Sequence, residues 1–278
     1  METVKLNNGV EMPVLGLGTF LLNDPKVCEQ TVVDAIGMGY RLIDTAQGYG
    51  NEEHIGRGIA RCGVKREELF ITTKVWFRNY DSARASIEES MHKLQTDYLD
   101  LVLLHWPFGD TYAAWHDLEA MYAEGCIRAI GVSNYTPDRL VDLVNYNKII
   151  PAVNQIETNL IAQQQECHQW MEKLGVRHMG YAPFGQGKLD ELYSNDTLRC
   201  IASHYGKTTR QIALRFQIQQ GVIVIPKTTV NKHLAENLDV FDFNLLDKEM
   251  ETLKAFDKNS PLIGNPQNAE LVASSVNW

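Results

Sequence analysis

The sequence has no C-x-x-C pair, and its five cysteines (Cys28, Cys62, Cys126, Cys167 and Cys200) are scattered and odd in number. That pattern excludes a disulfide framework and predicts reduced thiols in a cytoplasmic protein. None of the five stands with a histidine and an acid at metal-ligand spacing, so no metal is expected. Basic charge is also scarce: 26 Lys plus Arg face 35 Asp plus Glu, a formal net charge of −9. A general nucleic-acid binder is usually basic, so none is expected, although a local basic pocket for a phosphate stays compatible. No apolar run approaches the roughly 18 residues of a membrane span. METVKLNNGVEMP shows no basic-then-apolar leader pattern. A complete G-x-G-x-x-G is missing after the first strand-like run. GLGTF (16–20) is too short and lacks the third glycine, which disfavours a Rossmann domain.

What is present is an alternation. The 278 residues, 44% hydrophobic and 22% charged, have an ordinary soluble globular composition with a core large enough to need no staples. Two short runs, 4–6 and 10–12, flank Asn7-Asn8-Gly9 and predict a hairpin. Strands are expected at 14–17, 41–43, 69–74, 99–104, 127–132, 152–156, 176–181 and 222–225. Helices are expected between them at 25–38, 51–61, 82–94, 112–123, 136–144, 164–174, 196–205 and 209–219, then at 232–237, with an extra one at 246–256. Asp24 and Pro25 form a cap and first turn for the first of these. The tail 261–278 reads as loop. Eight βα repeats without linker or low-complexity run predict an α/β fold, a closed (β/α)8 TIM barrel spanning residues 1–278 as one domain.

The chain is organised around RLIDTAQGYGN (41–51). Asp44 ends a short apolar run, and Tyr49 stands between Gly48 and Gly50 on a tight loop with little bulk around it. FITTK ends in Lys74 and YLDLVLLH ends in His105. All four would stand at the C-terminal mouth of a barrel, where chemistry sits in this fold.

Six ordered motifs carry a resemblance: IDTAQGYGNEE, ITTKVW, LDLVLLHWP, GVSNY, NQIE and IPKTTVNKHLAENLDVFDF. Together they resemble the aldo-keto reductase family over nearly the whole chain, in particular its short bacterial-type members, the 2,5-diketogluconate and methylglyoxal reductases. The resemblance implies NAD(P)H-dependent reduction of an aldehyde or ketone, with the N-terminal hairpin plugging the barrel bottom. Tyr49 would be the proton donor, Lys74 would lower its pKa, Asp44 would hold Lys74, and His105 would polarise the carbonyl.

It further implies a cofactor site. Ser133, Asn134, Gln155 and Tyr181 would hold the nicotinamide, with Thr19 beside them. Phe184 and Gln186 would lie by the pyrophosphate. Lys227, Thr228 and Thr229 would take the adenosine 2′-phosphate, and His233, Glu236 and Asn237 the adenine. His233 stands where the family often has arginine, so NADPH is the expected cofactor with NADH as an alternative. Phe20, Trp76 and Trp106 match the family's aromatic substrate wall, and Gln47 is a polar residue placed to meet a hydroxylated substrate. The pocket is expected to be small or open, because the tail is short. A monomer acting on a small carbonyl is expected. Two other readings stand beside it: a Schiff-base barrel with Lys74 as nucleophile, and a non-catalytic module that binds the cofactor.

Overall fold

The computed structural model describes residues 2–278. The chain opens with β1 (Thr3–Lys5), β2 (Glu11–Pro13), β3 (Leu17–Gly18), α1 (Pro25–Met38), β4 (Leu42–Asp44) and α2 (Glu52–Arg61). It continues through β5 (Phe70–Val75), α3 (Ala83–Leu94), β6 (Leu101–Leu104), α4 (Thr111–Ala123), β7 (Ile130–Ser133) and α5 (Pro137–Tyr146). Then come β8 (Val153–Glu157), α6 (Gln165–Leu174), β9 (Arg177–Tyr181), α7 (Asp196–Tyr205), α8 (Thr209–Gln219) and β10 (Ile223–Val224). Three helices follow: α9 (Asn231–Leu238), α10 (Asp247–Lys254) and α11 (Ala269–Ser274).

Strands β3 to β10 pair in parallel in chain order. The sheet then closes on itself. Leu15 bridges Val224 in parallel, Gly16 N donates to Val224 O at 2.9 Å, and Gly18 N donates to Pro226 O at 3.1 Å. Gly18 is required there, since a Cβ would lie 2.6 Å from Ile225 O. The result is a TIM barrel.

A strand alternates its faces with period two. Leu42, Leu101, Leu103, Val153, Met179 and Ile223 point inward and pack with Leu6 and Met12 of the hairpin. The hairpin therefore plugs one mouth, and Asn8 Nδ2 ties it to Arg128 O at 2.8 Å. Ile43, Val102, Val132 and Val224 point outward and pack under the helices with residues such as Trp115 and Leu118. On four strands a polar residue follows two positions beyond the last inward apolar one: Asp44 after Leu42, His105 after Leu103, Gln155 after Val153, Tyr181 after Met179. The inward face turns from apolar to polar at the other mouth.

The expected elements are all present, with ends moved by one to three residues and the closing strands shorter than expected. Asp24 caps α1 by accepting from Val27 N at 2.9 Å. The tail departs from expectation. Asn268 Oδ1 accepts from Glu270 N and Leu271 N and starts α11, and a 3-10 turn Ser275–Asn277 follows. Among the described residues, no helix is long and apolar enough to cross a membrane.

Candidate functional site

A cavity of about 880 Å3 opens at the polar mouth. At its inner end Tyr49 closes a 3-10 turn, Gln47–Tyr49, that follows β4. Gly50 reverses the chain with φ 67°. Gly48 is small because Trp76 covers it; a Cβ would meet the indole at 2.8 Å. This packing presses the loop against β5 and brings Tyr49 to Lys74.

Lys74 is fully buried, and each of its three ammonium protons has an acceptor. Nζ donates to Asp44 Oδ1 at 2.6 Å, to Thr45 O at 2.8 Å and to Tyr49 Oη at 3.3 Å. Asp44 Oδ2 accepts from Gln155 Nε2 at 2.7 Å. Burial, opposed by Asp44, lowers the pKa of Lys74; burial, opposed by Lys74, raises that of Asp44. Each partner holds the other ionised inside the barrel.

Tyr49 differs from expectation. Its pKa is raised well above that of an ordinary phenol, by burial and then by the Asp44 charge, rather than lowered by Lys74. Burial costs a phenolate its solvation, and the carboxylate 2.6 Å from the ammonium weakens, without cancelling, the field of Lys74 at the phenol. Tyr49 therefore keeps its proton. Because its oxygen accepts from Lys74, the phenolic hydrogen is free to be donated elsewhere.

His105 sets its ring edge-on to Tyr49, 5.7 Å between centroids, and to Trp76 at 5.2 Å. Burial, then the Lys74 charge, pushes its pKa well below the usual imidazole value. It is a neutral ring at physiological pH. Its Nδ1 is buried without a partner among the described residues.

Beside this cluster lies a cradle of amides and hydroxyls. Ser133 Oγ donates to Gln155 O at 2.8 Å. Asn134, held at φ 62°, donates to His105 O at 3.0 Å and accepts from Tyr181 Oη at 2.9 Å. Thr19 Oγ1 donates to Asp44 O at 2.8 Å. Phe184, Gln186, Lys227, Thr228, His233, Glu236 and Asn237 line the same cavity farther out. Lys227 is exposed and has no acidic partner among the described residues, whereas Lys232 leans on Glu236 at 3.7 Å.

Three expected residues do not line the cavity: Lys74, buried behind Tyr49, and Thr229 and Gln47. Thr229 is exposed and does not line it. Gln47 is spent on structure: Nε2 donates to Ser86 O and Ser90 Oγ, and Oε1 accepts from Trp76 N and Asn79 Nδ2. No group of Gln47 is left for a hydroxylated substrate. Sequence reasoning also missed several wall residues. Asp190, Thr208 and Arg210 line the outer end, and Ile263 and Trp278 the inner rim. Nothing in the local pattern marked them, because long-range packing brings them there.

Phe20, Trp76 and Trp106 stand on the rim as expected, Phe20 5.0 Å from the Tyr49 ring. The tail does not leave the rim open. Trp278 packs 5.7 Å from Trp106, 6.4 Å from Trp76 and 6.5 Å from Phe108.

The aldo/keto reductase family model matches residues 14–258. Glyoxal reductase of Bacillus subtilis is 42% identical over 268 residues, 95% of this chain and 96% of the relative. A methylglyoxal reductase of Escherichia coli is 37% identical over 266 residues, covering 95% and 96%. The crystal structure of a Bombyx mori aldo-keto reductase in complex with NADP superimposes with a TM-score of 0.91 at 35% identity, covering 95% of each chain.

Proposed function

The chain belongs to the aldo/keto reductase family, and from that footing we propose that it reduces small aldehydes and ketones to alcohols with NADPH, with Tyr49 as proton donor. One observation carries the role of Tyr49: its oxygen accepts from Lys74 Nζ while its own hydrogen has no acceptor among the described residues.

The residues present fit a nicotinamide dinucleotide. The inner end offers amide and hydroxyl groups, the kind that pair with a carboxamide, and the buried Asn134 is fixed there by three partners. The outer end offers Lys227 to a phosphate and Glu236 and Asn237 to a base. Tyr181 presents a ring anchored through its hydroxyl. The chemistry supplied by a bound reduced nicotinamide is donation of a hydride to a carbonyl carbon. The chain's own residues do the rest. His105, neutral and unspent, donates a hydrogen bond to the carbonyl oxygen and polarises it. Tyr49 passes its proton to that oxygen as negative charge develops. Lys74, held charged by Asp44, stabilises the phenolate left behind. The aromatic rim keeps bulk water from the reacting atoms.

The names of the two relatives support small 2-oxoaldehydes such as glyoxal and methylglyoxal as substrates. Lys227 supports NADPH over NADH, against the loss of a guanidinium at His233. The free cysteines support a cytoplasmic protein, and the family resemblance a monomer. The Schiff-base alternative is disfavoured: Lys74 Nζ lies behind Tyr49, off the cavity wall, with every donor spent. The test is a parallel fluorescence titration with NADPH and NADH followed by turnover of methylglyoxal. Binding with turnover is expected; binding without turnover would favour a cofactor-sensing module, and no binding of either dinucleotide would sink the reading.

A further inference from the structure

The outer end of the cavity holds a guanidinium with no assigned task. Helix α8 starts with Thr208 as its cap, and its first turn is pinned to α9: Gln211 Nε2 donates to Glu236 O at 3.1 Å and to Asp239 O at 2.8 Å. Arg210, the neighbour of Gln211, is thereby set on the cavity wall at the same end as Glu236 and Asn237. Its guanidinium has two neighbours. Nη2 donates to Asp190 Oδ1 at 2.8 Å, and the Tyr193 ring lies 5.2 Å from its Cζ. Tyr193 is itself anchored, its hydroxyl donating to Pro183 O at 3.1 Å and its carbonyl accepting from Thr209 Oγ1 at 2.9 Å.

We propose that Arg210 takes the adenine of the dinucleotide on the face of its guanidinium that Tyr193 leaves open, supplying the flat cation that position 233 lacks in this chain. The proposal rests on the reductase reading. Three physical points favour the base over the 2′-phosphate as its target. The Asp190 carboxylate already matches the charge of Arg210 and would repel a phosphate dianion on the same group. Lys227 has no such acid and is the better phosphate partner. A guanidinium stacks on a π-face as well as it binds an anion, and a guanidinium already oriented by neighbours loses little freedom when it does so. Arg210 then serves NADPH and NADH alike, while Lys227 discriminates between them.

The experiment uses probes that cannot react: ADP-ribose and 2′-phospho-ADP-ribose, titrated calorimetrically against the full chain, with NADPH and NADH followed by fluorescence. Arg210→Ala should weaken all four by about tenfold, keeping the ratio between the probes with a 2′-phosphate and those with a 2′-hydroxyl. Arg210→Lys, which keeps charge but not the plane, should lose nearly as much. Lys227→Ala should instead weaken the 2′-phosphorylated probes selectively. Melting temperatures of the variants within a few degrees of the parent would show that the fold is intact. Binding by Arg210→Ala within twofold of the parent overturns the proposal, as does a loss confined to 2′-phosphorylated probes or full rescue by lysine. Failure of the parent to bind any of the four sinks the reductase reading itself, a different result from an idle Arg210.

Discussion

Replacing Tyr49 by Phe removes one oxygen from a site whose other parts are held by their own bonds. Cofactor affinity should stay within about twofold and kcat should fall by roughly two to four orders of magnitude, as measured by titration and steady-state turnover. A variant that reduces methylglyoxal as fast as the parent would take the proton-donor role from Tyr49. The Asp44–Lys74 pair obeys a different logic. Asp44→Ala leaves a buried ammonium uncompensated and should cost about 3–5 kcal/mol of stability in urea unfolding, whereas replacing both partners by apolar groups should recover much of that. Equal losses in the single and double variants would contradict this. Asp44 and Lys74 were legible in the sequence because each stands at the tip of a strand-like run, and Tyr49 because glycines flank it on a tight loop. Gln47 was misread for the opposite reason. Its partners, Ser86, Ser90 and Asn79, lie 32 to 43 positions away, and nothing local shows that its amide is already used.

At the scale of elements, α2 and α3 cross without room for a side chain. A Cβ on Gly56 would lie 2.3 Å from Lys93 O and 2.9 Å from Leu94 Cα, both backbone atoms of α3 that cannot step aside. Gly56→Ala should therefore destabilise by on the order of 2 kcal/mol despite the better helix propensity of alanine, as read from the shift of the urea midpoint. A neutral or stabilising result would mean that the helices slide apart at no cost. The tail gives a second prediction at this scale. Ending the chain at Asn268 removes α11 and Trp278 and uncovers Trp76, Trp106 and Phe108. KM for an aromatic aldehyde should rise several-fold with kcat held within about threefold, through loss of apolar contact alone. An unchanged KM would show that Trp278 does not touch the substrate. Propensity did not reveal α11, whose six residues are held by the Asn268 cap, the packing of the terminal aromatics and the bond from Arg78 Nη2 to Val276 O just beyond.

For the whole molecule, titratable groups buried on both sides of the barrel wall set a pH dependence. His105 and His178 are buried and their pKa values lie well below the unfolded value of about 6.5. Between those limits the unfolded chain binds more protons, so the histidine contribution to stability is whole above about pH 6.5. It drains as the pH falls toward the folded values, by up to about 1.4 kcal/mol per pH unit for each ring. Asp44 and Glu52, whose pKa values are raised mainly by burial, act in the opposite sense, so the informative quantity is a difference. His178→Gln should flatten the acid side of the stability curve relative to the parent between pH 6.5 and 5. Parallel curves would show that His178 does not exchange protons on unfolding.

The sequence carries the alternation of strand and helix, the eightfold count, the N-terminal hairpin and the four residues Asp44, Tyr49, Lys74 and His105. Each is written in short-range signals: apolar period, caps, glycines around Tyr49, and a polar residue at the end of a buried run. Tertiary structure sets the direction in which the Tyr49 phenol is shifted, upward, because that depends first on its burial and then on the carboxylate beside the lysine. It alone turned Gln47 inward to Ser86, brought Trp278 across the rim from the far end of the chain, and set Arg210 beside Glu236 and Asn237. Those outcomes depend on distances between residues remote in sequence, and a closed barrel fixes such distances only once its last strand has paired with its first.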